Sequence, residues 1–234
     1  MKLSTKAFFL LLSFSGSLCI LLATLIFSNQ RSKIDHDHTR KNIAMTEMIG
    51  NTLTEMESVV DRLMKGALEH IYFIDQHEGI KSTERLTQIR DQLVVSDIFI
   101  TDREGHFDLV TNGELPPDQP TLFSFCKDYR NLTHGHMNIA ITPIVMALPK
   151  GKGTYKFMMM PNHDRSRILE VGMKLDFIVR ILQQSAQAYP ELLSLGLYTP
   201  SGDSLGEYSA ENAPATRIEN LGTIGDAHTE VYKD

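Results

Sequence analysis

The spacing of hydrophobic and polar positions changes several times along the chain. Residues 7–28 (AFFLLLSFSGSLCILLATLIFS) carry no charge, and about 20 helical residues suffice to span a bilayer's hydrocarbon core. The run predicts a membrane anchor. A cleavable signal peptide would show a shorter apolar stretch, about 7 to 15 residues, closed by a small-residue cleavage pattern. Here the closing residues are Leu25, Ile26, Phe27 and Ser28. Lys2 and Lys6 form a basic tail before the run, which predicts an inside N-terminus and an exported body. Arg31, Lys33, Arg40 and Lys41 at the other end compete for the same side.

Past the anchor, residues 41–74 contain no proline, and apolar residues recur at Met45, Ile49, Leu53, Met56, Val60, Leu63, Ala67, Ile71 and Ile74. Steps of three and four predict a long helix with one apolar seam, packed on its own domain or on a second copy of the chain. The polar stretch 29–40 continues it back to the anchor as a stiff rod. Gly79 breaks the rod, and Ser82 caps a shorter helix whose Leu86, Ile89 and Leu93 share a face.

The period then shortens. In residues 94–111 (VVSDIFITDREGHFDLVT) β-branched and aromatic residues flank the turn Asp102-Arg103-Glu104-Gly105, a hairpin pattern. A loop at 112–120 rich in proline and glycine precedes a helical piece at 121–129. Strand-like runs follow at 138–148, 154–160 and 167–174, and a helix at 176–187 carries Phe177, Ile181 and Leu182 on one side. This order predicts an α+β domain, an antiparallel sheet with helices packed on it. Residues 192–209 (LLSLGLYTPSGDSLGEYS) repeat the opening hairpin, the sign of a second, smaller module.

Charge and cysteine content narrow the functional classes. Beyond the basic tail, 29 acidic residues outnumber 21 basic ones, which argues against a nucleic-acid partner. Cys19 falls in the apolar run and Cys126 in the body, so the body forms no internal disulfide. The chain has no GxSxG, HExxH, P-loop or CxxC string. Neither an enzyme nor a bound cofactor is expected. Asp35, His36, Asp37 and His38, or His134 with His136, are metal-compatible residue types without a defined third ligand. The Met158-Met159-Met160 run reads as core filler.

The membrane helix, the long helix and the strings DIFITDREGHFDLVT, KDYRNL, ITPIV, YKFMMM and ILEVGMKLDFIVRIL together resemble the Cache domains, the PAS-like extracytoplasmic sensors of bacterial membrane receptors. The resemblance covers about 41–187. A second module from about Leu192 would make it a double Cache arrangement. It implies a cytoplasmic tail (1–6), an anchor (7–28), a long helix with a membrane-distal sensor module (29–187) and a partial membrane-proximal module (188–234). It also implies a small-molecule pocket over the sheet, with Tyr129 and Arg130 gripping a carboxylate. Asp176 would accept bonds from a ligand amine, with Lys174 as the alternative residue at that place. Tyr155 and Phe157 alternate on one strand and line either a pocket or the core. The expected partners are a small molecule resembling a carboxylate or amino acid, the bacterial inner membrane, and a second copy through the long helix. The competing class is a membrane-tethered accessory protein that uses the same fold for docking.

Overall fold

The computed structural model describes residues 5–112, 121–125, 127–146, 153–189, 194–198 and 204–209, and the side chains of 5–19, Phe125 and Met146 lie outside that description. The loop expected at 112–120 falls almost wholly outside it, as do Cys126 and residues 210–234. The described residues divide into two compact units, one up to residue 48 and one from residue 49 onward.

Anchor run and long helix lie in one element, α1 (Thr5–His77, 73 residues). Among the described residues no helix is long and apolar enough to cross a membrane, and most of the run 7–28 falls on side chains outside that description. From residue 49 onward the buried face of α1 consists of Ile49, Val60, Met64, Ala67, Leu68, Ile71 and Ile74. The sequence pattern put Leu63 on this seam, but Leu63 is 43% exposed while Met64 and Leu68 are fully buried. Only this one step differs: from Val60 the buried stripe takes four residues to Met64 rather than three to Leu63, and it rejoins the expected seam at Ala67, Ile71 and Ile74. Gly79 adopts φ +70°, the left-handed conformation glycine tolerates, and its N–H donates to the Asp75 carbonyl. In α2 (Thr83–Gln92) the Ser82 hydroxyl accepts from the Arg85 N–H at 3.3 Å, and Leu86 and Ile89 are buried.

Strands β1 (Asp97–Asp102), β2 (Phe107–Val110), β3 (Ala140–Ile141), β4 (Val145–Met146), β5 (Thr154–Pro161) and β6 (Arg167–Lys174) form one sheet. Its order is β2-β1-β6-β5-β3, with β4 also on β5, and every pairing is antiparallel. The run expected at 138–148 is two short strands, because Pro143 between them has no N–H to donate. Between β2 and β3 lie α3 (Leu122–Phe125), a 3-10 turn (Lys127–Tyr129) and α4 (Arg130–His134).

The sheet's two faces have different neighbours. On one, Lys156 reaches Glu57 and Asp61 of α1, and Arg167 reaches Asp75 at 3.2 Å and the Ile80 carbonyl at 3.0 Å. On the other, Met159 of β5 and Ile168 of β6 pack with Leu122, Phe123, Leu132 and Ala140, and with the half-buried Phe107, Tyr129, Met137 and Phe157. The β5–β6 turn fastens this layer. Arg165, at φ 57°, donates to the carbonyls of Leu132 and Met137 and to the Asn138 side chain.

Helix α5 (Phe177–Ala188) follows β6, and β7 (Ser194–Tyr198) pairs with β8 (Ser204–Ser209) as a separate two-stranded sheet. The second hairpin repeats the first down to a register shift late in its leading strand, at Leu197/Tyr198 as at Ile100/Thr101. Thr154 donates to the Leu205 carbonyl at 2.7 Å, which ties this hairpin to the start of β5. Residues that would complete a second module lie outside the described ones.

Candidate functional site

Antiparallel register decides which side chains share a face, since paired residues point the same way. Asp97 pairs with Gly172, Phe99 with Glu170 and Thr101 with Ile168, while Tyr155, Phe157 and Met159 pair with Lys174, Gly172 and Glu170. All of these therefore project from the sheet face opposite α1.

Glu170 stands at the centre of that face, on the strand between β1 and β5. It is 5% exposed, and its Oε2 is buried with no hydrogen-bond partner. Burial pushes its carboxyl up from 4.5 to about 8, because low-polarity surroundings disfavour the charged form. Thr101, diagonal to it on β1, is fully buried, and its hydroxyl is likewise unpartnered. Asp97, on the other diagonal, is 6% exposed. Such diagonal positions lie about 7–8 Å apart.

Aromatic rings wall the acid. Phe99 meets Phe157 edge-on at 6.3 Å between ring centres and Phe107 at 5.9 Å, while Tyr155 stacks on Phe157 at 5.7 Å. Gly172 makes room for them, since a Cβ there would come within 2.9 Å of the Phe157 ring. Burial raises the Tyr155 hydroxyl's pKa, and Asp97 and Asp176 raise it further against the opposing charge of Lys174. Phe99, Tyr155 and Phe157 are each only half-buried, which leaves one side of the ring cluster open.

Of the residues expected at a pocket, Tyr155 and Phe157 come together on this face, and Tyr129 packs into the cluster that Phe157 joins. Arg130 is exposed, its guanidinium 5.4 Å from the centre of the Phe123 ring. Asp176 is exposed just before α5 and pairs with Lys174 at 3.1 Å. Sequence reasoning missed Glu170, Thr101, Asp97 and Phe99. One signal was present: in ILEVG an acid interrupts a strand whose residues are buried on both faces, and such an acid needs a partner or a purpose.

Among the described residues no group of three or more His, Cys, Asp or Glu side chains could hold a metal ion. No family model matches the chain, and no curated protein sequence does. Solved structures similar to it include three chemoreceptor ligand-binding domains. One is that of Pseudomonas aeruginosa PctC in complex with GABA, 16% identical, with a TM-score of 0.45 over 68% of this chain and 70% of that one. Another is that of Campylobacter jejuni Tlp3 with 4-methylisoleucine, 11% identical, TM-score 0.47, over 70% and 66%. The third is that of Pseudomonas aeruginosa PctB with L-Gln, 13% identical, TM-score 0.44, over 69% and 64%. The chain thus spans about two thirds of the length of these domains.

Proposed function

We propose that this chain is a small-molecule sensing module, tethered to a bacterial inner membrane by residues 7–28 with its body in the periplasm. The observation that carries the reading is the sheet face of Glu170. Its buried, unpartnered carboxyl oxygen and the adjacent Thr101 hydroxyl share that face with the half-buried rings of Phe99, Phe157 and Tyr155. Convergent polar groups in an apolar, partly open wall are what a ligand site requires, and a buried polar group left without a partner costs free energy that a ligand can recover.

The same strand supplies a route outward. On β5, Tyr155 and Phe157 face the site, and Lys156 between them faces α1, where Glu57 and Asp61 hold its ammonium at 2.5 and 2.7 Å. A ligand that shifts β5 displaces the grip on α1, and it biases the helix only as far as it binds one arrangement more tightly than the other. The uncharged run 7–28 supports the tether.

The test is thermal shift of the full chain in detergent against carboxylates, amino acids, amines and purines, followed by Phe157→Ala and Arg130→Ala on any hit. A compound that raises the melting temperature of the parent chain but not of Phe157→Ala supports sensing at this face. A folded, cooperatively melting chain that answers none of them supports the docking accessory instead.

A further inference from the structure

We infer that the ligand is a small organic cation, whose ammonium group seats against Glu170 beside the rings of Phe99, Phe157 and Tyr155. This rests on the reading of the chain as a ligand-sensing module and names the chemical class it senses.

Two buried oxygens without hydrogen-bond partners, Glu170 Oε2 and Thr101 Oγ1, project from neighbouring strands onto one face. Both can accept hydrogen bonds, and an ammonium brings three N–H donors and no acceptor. Half-buried aromatic rings beside them suit the same occupant, because ring faces attract cations, most strongly where water is displaced. Asp97, on the other diagonal from Glu170 and 6% exposed, adds a second acid to the face. A carboxylate ligand here would be set against Asp97, whose charge already raises the Tyr155 pKa and would repel it.

Four described cations near this face are engaged elsewhere. Lys156 points to the opposite face and is held by Glu57 and Asp61. Arg165 spends its guanidinium on Leu132, Met137 and Asn138. Arg130 is exposed over Phe123, and Lys174 pairs with Asp176. Among the described residues the titratable groups near Glu170 are Asp97 on β1, Tyr155 on β5, Lys174 on its own strand, and Tyr129 from the covering layer. Burial alone sets the state of the Glu170 carboxyl, which ionises only at about pH 8 in the empty site. Seating a cation requires the carboxylate, so each cation bound near neutral pH releases close to one proton to solvent. Affinity then rises about tenfold per pH unit below that value.

The test is calorimetry on the full chain in detergent, with n-butylammonium and n-propylammonium as probes and butyrate and n-butanol as controls. Titrations in two buffers of different ionisation enthalpy count the protons. The expected result is binding of the ammonium probes with nearly one proton released at pH 6.5. Affinity should rise about tenfold from pH 6 to pH 7 and fall at least tenfold in Glu170→Gln. The proton count comes from the parent chain and stands whether or not that variant folds. Binding of butyrate in preference to the ammonium probes overturns the inference, as does ammonium binding with no proton release. In those cases the sensing reading survives, as it does if the probes are silent but an amino acid or purine stabilises the chain. Silence from every probe and every library compound overturns both.

Discussion

Lys156 and Glu57 lie 99 residues apart in the chain, yet the Lys156 ammonium stands 2.5 Å from the Glu57 carboxylate. Asp61, one turn further along α1, lies 2.7 Å from the same ammonium, though its facing oxygen lacks hydrogen-bond alignment. The lysine side chain is 4% exposed and the two acids 37% and 33%, so the pair is asymmetric. Removing the cation leaves two carboxylates that water can reach, whereas removing both acids strands a buried ammonium. Lys156→Met should therefore cost about 1–2 kcal/mol, and the Glu57→Gln/Asp61→Asn double variant about 3 kcal/mol or more. Denaturant titration of the full chain in detergent checks the order. Equal costs would mean that the ammonium is solvated after all.

Glu170 predicts a pH dependence whose sign is opposite to that of a salt-bridged acid. Its carboxyl ionises near 4.5 when unfolded and at about 8 when folded, so between those values the folded chain holds more protons than the unfolded one. The contribution is fully present below about pH 4.5 and is lost as pH rises through about 8, with a slope approaching 1.4 kcal/mol per unit at most. Glu170→Gln removes this slope. The ligand-free chain should lose melting temperature from pH 5.5 to 8 and the variant should lose less. Parallel profiles would show that water reaches the carboxyl.

What the sequence disclosed about the fold was local. The turn at Asp102–Gly105, the Ser82 cap and the Gly79 stop each depend on a few neighbouring residues, and each stands where the pattern put it. Positions that depend on tertiary geometry were less legible. Leu63 and Met64 differ by one step on a helix whose buried stripe is set by the sheet it meets. Glu170 and Asp97 gain their shared face only from the β1–β6 register, which no local string specifies. Tyr155 and Phe157 were legible as a pair because alternation alone puts them on one side. Whether that side was core or site depended on what covers it, a layer of short helices with little periodicity.

Arg165 should hold that covering layer in place. Its guanidinium bonds the Leu132 and Met137 carbonyls and the Asn138 side chain. Its own φ of 57° is one a non-glycine residue adopts at some cost. Arg165→Gly relieves the backbone and deletes the three bonds, while Arg165→Lys keeps the charge and loses the fork. Both should raise amide hydrogen exchange across residues 130–138 by at least about tenfold, the equivalent of about 1.4 kcal/mol, with β1 and β6 unaffected. Unchanged exchange at Leu132 and Thr133 would show that apolar packing alone seats α4.

Gly172 is the position at which space rather than chemistry is tested. Its backbone lies between Asp97 on β1 and Phe157 on β5. An added Cβ would meet Phe157 Cε1 at 2.9 Å and Cδ1 at 3.1 Å, with Phe99 Cε2 at 3.6 Å. The Phe157 ring must then swing away, and it cannot do so without leaving its stack with Tyr155 or its edge contact with Phe99. Gly172→Ala should cost about 1–3 kcal/mol as an overpacking change and weaken any ligand of this face by at least tenfold. Because the atoms nearest the added methyl are those of the Phe157 and Phe99 rings, such a loss reports the ring arrangement. Phe157→Leu in the same background should return part of the stability, since the clash is with the ring, but none of the binding. If Gly172→Ala binds as the parent chain does, the rings are not what holds the ligand.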